Sequence, residues 1–201
     1  LDVAQDGDAH VLVQTLLQDL ADVLGGDRVA VAVARALGHD DDRVAAPRLP
    51  AGAEARARDW MRAAFTEVCA FGSANGVAIT LEPQNRTVVN NLNTPADALA
   101  WLRELALPNL GLTLDVFHMD HEREDLAAGF AAARGVLWHM HYADTNRRVP
   151  GDGQLDFHAI STHLRALGYD RFITVEIKQE PDSVTAARRS AAFLRPLLFR
   201  P

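Results

Sequence analysis

Four short apolar segments of the 201-residue chain each end in a side chain that can bind a metal ion. They are GVAITL before Glu82, LGLTL before Asp115, VLWHM before His141 and FITV before Glu176. Apolar runs of this length, bounded by polar segments, are typical of buried β-strands, and helical patterns separate them. Because strands that alternate with helices form parallel sheets, we predict an α/β fold that gathers these four side chains at one end.

The two faces of the predicted strands differ in character. Successive side chains of a strand point to opposite sides, so every second residue shares a face. The face that ends in the four metal-binding side chains is mostly small and polar: Glu82, Thr80, Ala78, Asp115, Thr113, Gly111, His141, His139, Leu137, Glu176, Thr174, Phe172. The opposite face is large and apolar: Leu81, Ile79, Val77, Leu114, Leu112, Leu110, Met140, Trp138, Val136, Val175, Ile173. This division predicts a (β/α)8 TIM barrel with helices outside and a site at the carboxyl ends of its strands.

The number of strands is small for a complete barrel. The pattern predicts a single domain over residues 1–201 with five strands, near 28–34, 77–82, 110–115, 136–141 and 172–176. An eight-unit barrel needs roughly 250 residues. We therefore expect this chain to lack the first three strand-helix units.

Composition narrows the classes of function. The net charge is −7, and no stripe of Lys or Arg is present that could neutralise a phosphate backbone. No apolar run approaches the roughly 18 residues that span a bilayer. We expect a cytoplasmic protein that binds neither nucleic acid nor membrane, and a homo-oligomer, dimer or tetramer, stays open.

Three carboxylates and one imidazole make up the set Glu82, Asp115, His141 and Glu176. Oxygen-rich sets of this kind suit manganese, cobalt or magnesium better than a structural zinc site, which favours thiolates. Each carboxylate alone could cap a helix or pair with an arginine, and the histidine alone could be a core residue with its hydrogen bonds satisfied. Their shared position at four strand ends favours one common metal site.

Two further polar residues follow these strands. His118 lies three residues after Asp115, where it either points at a ligand or lies on the surface. Arg147 lies in the loop segment HYADTNRRVPGDG after His141. A guanidinium group there could hold an oxyanion or a hydroxyl group.

Four segments carry a resemblance to a known family: LEPQNR, LDVFHMD, HMHYADTNRRVPGDGQLDF, and the run from GYDRF to VEI. Over about residues 10–180 the chain resembles the sugar isomerases and epimerases of the xylose-isomerase-like TIM barrel, especially ketose 3-epimerases of the tagatose and psicose type. The resemblance implies that Glu82, Asp115, His141 and Glu176 bind one divalent ion, Mn²⁺ first, with Co²⁺, Mg²⁺ or Zn²⁺ as alternatives. It also implies that His118 and Arg147 contact the sugar. Val88 departs from the family, which often has an acid at that position.

The implied chemistry is proton removal beside a ketone, which needs a positioned base and a stabiliser for the oxyanion. The resemblance implies an isomerase that inverts C3 of a ketose or related keto-sugar through a cis-enediolate. Glu82 and Glu176 are then the acid/base pair, and the substrate is a small-molecule sugar.

Other functions use a similar site. Aldose-ketose isomerisation, hydroxypyruvate isomerisation and inosose dehydration share the same enediolate chemistry. An AP endonuclease on the same barrel resembles this chain at its Glu, Asp and His positions. Such a nuclease carries an Asp-x-His pair after the seventh strand, where this chain has GDGQLDF. An inactive barrel fragment is the remaining alternative.

Overall fold

The computed structural model describes residues 31–32 and 51–198, in which strands and helices alternate. The strands are all parallel and pair in chain order: β1 (Val31–Ala32), β2 (Ile79–Leu81), β3 (Leu110–Asp115), β4 (Leu137–Tyr142) and β5 (Phe172–Val175). The helices are α1 (Glu54–Ala74), α2 (Pro95–Leu105), α3 (Val116–His121), α4 (Leu126–Ala132), α5 (Phe157–Ala166) and α6 (Ser183–Leu198).

The parallel α/β arrangement predicted from the sequence is confirmed. The bounds of β2 to β5 lie within two residues of the predicted ranges. The predicted strand near 28–34 is described only at residues 31–32, and the rest of it lies outside the described residues. In the part of the chain that the structure describes, no helix is long and apolar enough to cross a membrane.

The apolar face of the sheet packs under the helices. Leu112, Leu114 and Met140 are fully buried, and Leu81 is nearly so. Burying a side chain of this size contributes about 1.5–3 kcal/mol. This face of the sheet therefore forms the core and leaves the polar face to form the site.

Helix α3 follows β3 directly, whereas the sequence pattern predicts a loop there and a helix near 122–133. The Asp115 side chain caps α3 by accepting a hydrogen bond from the Phe117 backbone N–H at 2.8 Å. Asp125 then begins the separate helix α4. Six residues are too few to show a helical period, which is why the pattern missed α3. The helix places His118 beside Asp115.

A shift in strand register changes the predicted faces at the start of β4. Leu112 pairs with Leu137, but the next residue, Thr113, pairs with His139. The extra residue, Trp138, is therefore a bulge, and bulges change which way neighbouring side chains point. Leu137 is buried in the core, and the Trp138 indole lies against Gly111. The assignment of Leu137 to the polar face and of Trp138 to the opposite face was wrong.

Gly111 makes room for this indole, and its replacement by alanine is expected to destabilise the fold. A Cβ atom at Gly111 would overlap the ring of Trp138. Overpacking of this kind costs about 1–3 kcal/mol. Urea unfolding of Gly111→Ala should show that loss, and the double variant with Trp138→Leu should recover part of it. An unchanged unfolding midpoint in Gly111→Ala would contradict the close approach.

Candidate metal centre

Four side chains meet at the carboxyl ends of the strands. One ligand atom from each of Glu82, Asp115, His141 and Glu176 lies within 4.8 Å of all the others. Glu82, Asp115 and His141 are buried, and Glu176 is partly buried. Strand register explains the convergence, because Asp115 pairs with His141 across β3 and β4. The structure thus brings together all four residues that the sequence singled out.

The His141 imidazole contacts two glutamates of the cluster through one nitrogen atom. Its Nδ1 atom is 2.9 Å from Glu82 Oε1 and 3.2 Å from Glu176 Oε2. Burial alone would lower the pKa of His141, but the hydrogen bonds and charges of both glutamates outweigh it and raise the pKa to about 10. The His141 hydrogen bond is also the largest cause that lowers the pKa of Glu176 to about 2, with burial opposing it.

Arg147 bridges the other side of the cluster. Its Nη1 donates to Asp115 Oδ2 at 2.5 Å and its Nη2 donates to Glu176 Oε2 at 2.6 Å. The guanidinium also stacks over the Phe117 ring, 4.6 Å from the centroid. Burial raises the pKa of Asp115 to about 6, although the Arg147 charge acts in the opposite direction. The structure places the Arg147 side chain in contact with the cluster.

His118 also lies beside the cluster. It is buried, and its Nε2 atom is 3.8 Å from Asp115 Oδ2. Its Nδ1 atom contacts Asn85 Nδ2 at 2.8 Å. Burial is the largest cause that lowers the pKa of His118 to about 3, so the ring is neutral near pH 7. The sequence left two positions open for His118, the site or the surface, and the structure places it in the site.

Two hydrogen-bonded pairs of polar side chains lie on the same face of the strands, two residues before the ligand side chains. Thr113 Oγ1 donates to Thr80 Oγ1 at 2.8 Å, and His139 Nε2 lies 2.8 Å from Thr174 Oγ1. Both pairs join neighbouring strands on the face that carries the metal-binding side chains. The alternation read from the sequence therefore holds for these residues.

Asp144 organises the loop that carries Arg147, a role that sequence reasoning missed. Its fully buried carboxylate accepts backbone hydrogen bonds from Thr145 at 2.8 Å, Gly151 at 2.8 Å and Leu155 at 3.1 Å. The Asp144 carbonyl also accepts from the Arg147 backbone N–H at 2.8 Å. Gly and Pro in the loop predict a turn, but they do not show that the turn closes around the Asp144 carboxylate.

Replacement of Asp144 by asparagine is expected to destabilise this loop. One oxygen becomes an N–H donor facing a backbone N–H, and such an unsatisfied buried pair costs about 1–3 kcal/mol. Burial acts to raise the pKa of Asp144, but the backbone N–H donors outweigh it and lower the pKa. The stabilisation is therefore present above the unfolded value of about 4 and is lost as pH falls through the folded pKa.

Urea unfolding of Asp144→Asn and wild type at pH 7 and pH 3 measures both parts of this prediction. The difference between the two proteins should be largest at pH 7 and should shrink at pH 3. Asp152→Asn is the matched control, since Asp152 lies in the same loop but is exposed and pairs with Arg189 at 2.6 Å. An equal loss in both variants would contradict a special role for Asp144.

The donor set fits a divalent cation. Ligand atoms around one ion with bonds of about 2.0–2.6 Å are separated by no more than about 5 Å, which agrees with the 4.8 Å limit of the cluster. Three carboxylates and an imidazole favour Mn²⁺, Mg²⁺ or Co²⁺ chemistry over a thiolate site. The residues present thus fit a metal ion.

The sequence profile of the xylose isomerase-like TIM barrel family matches residues 15–197. The chain belongs to this family, which confirms the fold and the resemblance predicted from the sequence. The α/β sheet with its site at the carboxyl ends of the strands is the arrangement expected of such a barrel.

Relatives in this family include several named epimerases. The chain is 39% identical over 122 residues to the 3-dehydro-D-guloside 4-epimerase of Escherichia coli strain K12, covering 60% of this chain and 46% of that protein. It is 39% identical over 119 residues to the L-ribulose 3-epimerase of Mesorhizobium japonicum, covering 58% of this chain and 40% of that protein. The chain thus spans somewhat less than half the length of these two curated relatives.

A solved structure shows the same fold. The D-allulose 3-epimerase from Methylomonas sp. superposes with a TM-score of 0.81 at 27% identity, covering 97% of this chain and 72% of that chain.

Proposed function

We propose that this protein is a divalent-metal-dependent isomerase, an epimerase that inverts C3 of a ketose or a related keto-sugar. The observation that carries the proposal is the cluster of Glu82, Asp115, His141 and Glu176 within 4.8 Å. Its setting supports the proposal, because named ketose 3-epimerases are relatives of this chain.

The four clustered side chains hold the metal in this proposal, with Mn²⁺ as the first choice and Co²⁺, Mg²⁺ or Zn²⁺ as alternatives. When bound, a divalent ion supplies a Lewis acid that polarises a ketone and stabilises negative charge on its oxygen. Asp115 is fully buried and also caps α3, so it is suited to anchoring. His141 is held by the contacts of its Nδ1 atom with both glutamates.

Glu82 and Glu176 are the proposed acid/base pair. They reach the His141 imidazole from different strand ends, β2 and β5, at 2.9 Å and 3.2 Å. Two carboxylates on different sides of a bound sugar can act on opposite faces of one carbon. One removes the proton beside the ketone to give a cis-enediolate, and the other returns a proton to the opposite face, which inverts the centre.

His118 and Arg147 are the proposed sugar contacts. Arg147 brings a guanidinium, and His118 brings a neutral imidazole, to the edge of the cluster. Both can donate hydrogen bonds to sugar oxygens, and donors aimed at an oxygen that gains charge lower the barrier to proton removal.

A second candidate is inversion of C4 in a 3-keto-sugar. The observation that favours it is the 39% identity to the E. coli protein named 3-dehydro-D-guloside 4-epimerase. The chemistry is the same, because C4 is also next to the ketone at C3. The two reactions differ in the position of the ketone along the sugar, C2 in a ketose and C3 in a 3-keto-sugar.

Deuterium uptake from solvent separates these functions. The metal-loaded protein is incubated in D₂O with psicose, fructose, tagatose, ribulose and a 3-keto-glucoside, and the labelled carbon is located by NMR. Label at C3 of a ketose together with its epimer supports the first proposal, and label at C4 of the 3-keto-glucoside supports the second. An aldose product labelled at C2 would contradict both proposals and indicate an aldose-ketose isomerase. Absence of label from every substrate would contradict epimerisation.

A further inference from the structure

We propose that Asn85 is a positioning residue that holds His118 in the tautomer with its proton on Nε2, the nitrogen that faces Asp115. The tautomer itself is independent of the reaction. Its value for catalysis rests on the proposed function, in which the Nε2–H group meets an oxygen of the sugar.

The orientation of the Asn85 amide follows from its neighbour Thr87. Asn85 is fully buried, and its Oδ1 atom lies 2.9 Å from the Thr87 backbone nitrogen and 2.5 Å from Thr87 Oγ1. A backbone N–H can only donate, so the atom facing it must be the amide oxygen. The NH₂ group of Asn85 therefore faces the other way, towards His118.

The amide orientation determines the histidine tautomer. Asn85 Nδ2 lies 2.8 Å from His118 Nδ1, and the Asn85 backbone nitrogen lies 3.3 Å from the same atom. Both groups are donors, so Nδ1 must accept with its lone pair. In a neutral imidazole the proton is then on Nε2.

The ring orientation directs this proton towards the cluster. Nε2 is 3.8 Å from Asp115 Oδ2, which is longer than a hydrogen bond. The Phe117 ring holds the imidazole in an edge-to-face contact with centroids 5.3 Å apart. Asn85 thus fixes both the direction of the N–H donor and the nitrogen that carries it, as partners of functional histidines commonly do.

The experiment is a long-range ¹H–¹⁵N NMR correlation on protein labelled in its histidines, in the metal-free form and with diamagnetic Mg²⁺. The spectrum of His118→Asn identifies the His118 signals by their loss. Wild type should show an unprotonated Nδ1 and a protonated Nε2. In Asn85→Asp, a carboxylate acceptor replaces the amide donor, and the pattern should change to a protonated Nδ1.

Asn93→Ala is the matched control. Asn93 is another buried asparagine of the same loop, and its Nδ2 donates to the Gln84 carbonyl at 2.7 Å and the Val89 carbonyl at 3.0 Å. It should leave the His118 tautomer unchanged. A protonated Nδ1 in wild type, an unchanged Nε2–H pattern in Asn85→Asp, or the same change in Asn93→Ala would overturn the proposal. If Asn85→Asp fails to fold, the wild-type spectrum alone decides the tautomer.

Kinetics test the catalytic consequence separately. If the protein epimerises a sugar, Asn85→Asp should lower kcat about tenfold, the effect of one hydrogen bond lost in the transition state. An unchanged kcat with a changed tautomer would overturn the catalytic use of His118 and keep the positioning by Asn85. Absence of activity in wild type would overturn the proposed function, while the NMR result would still decide the tautomer.

Discussion

Replacement of Glu176 by glutamine is expected to reduce epimerisation by about 10²- to 10⁴-fold, the range for losing a general acid or base. The amide has the same shape but cannot accept a proton from carbon at neutral pH. Glu176 Oε2 contacts both His141 at 3.2 Å and Arg147 at 2.6 Å, and glutamine can keep its oxygen in this position. The variant therefore removes the group that transfers the proton and can keep the contacts with His141 and Arg147.

Isotope exchange sharpens this prediction. With two acid/base residues on opposite faces, Glu176→Gln should lose deuterium exchange for one epimer and retain it for the other, where Glu82 still removes the proton. Glu82→Gln should show the opposite result, with exchange retained for the first epimer and lost for the second. Product formation and deuterium uptake, measured from each epimer, distinguish this outcome from a site with a single base, in which one variant would lose exchange for both epimers.

Glu180→Gln is the matched control for Glu176→Gln. Glu180 is the next acid along the chain, is exposed, and pairs with Arg148 at 2.7 Å. It carries the same change in charge without touching the cluster. Metal content is measured in each variant, so that loss of the ion is not mistaken for loss of proton transfer. Full epimerisation by metal-loaded Glu176→Gln would exclude Glu176 as acid or base.

The sequence predicted the parts of this protein that follow from local rules. Side chains of a strand alternate, so Thr80 and Thr113 were expected on the face that carries Glu82 and Asp115. Their 2.8 Å hydrogen bond agrees with that expectation. The strand ends meet at one edge because parallel strands share a direction, and the cluster of four ligand side chains follows from this rule together with the alternation.

The parts that the sequence did not predict depend on contacts between distant residues. The bulge at Trp138 arises from the register between β3 and β4, which no single strand specifies. Asp144 and Asn85 looked like ordinary polar loop residues, since their partners are backbone groups and a histidine 33 residues away. Such roles depend on contacts that exist only in the folded chain. The ligand side chains could therefore be predicted, whereas the roles of Asn85 beside His118 and of Asp144 in the Arg147 loop could not.

Removal of the metal is expected to abolish the activity and to lower the thermal stability. Three carboxylates lie together in the cluster. Burial raises the pKa of one of them, Asp115, to about 6 because it disfavours the charged form, and a bound cation would stabilise that charge. An ion that binds only the folded protein stabilises it by about 2.7 kcal/mol at a concentration of 100 times Kd. For a protein of this size, each kcal/mol raises Tm by about 2–4 °C.

Thermal unfolding of chelator-treated protein, followed by titration with Mn²⁺, Co²⁺, Mg²⁺ and Zn²⁺, measures this effect and ranks the ions. Asp115→Asn should lose most of the rise in Tm, because Asp115 is a fully buried ligand that anchors the ion in the proposal. Asp170→Asn, which changes an exposed acid, should keep it. If the rise in Tm persists in Asp115→Asn, the ion binds elsewhere. If chelation changes neither Tm nor activity, the cluster holds no catalytic metal, and Arg147 and His118 are the groups left to stabilise negative charge on the sugar oxygen.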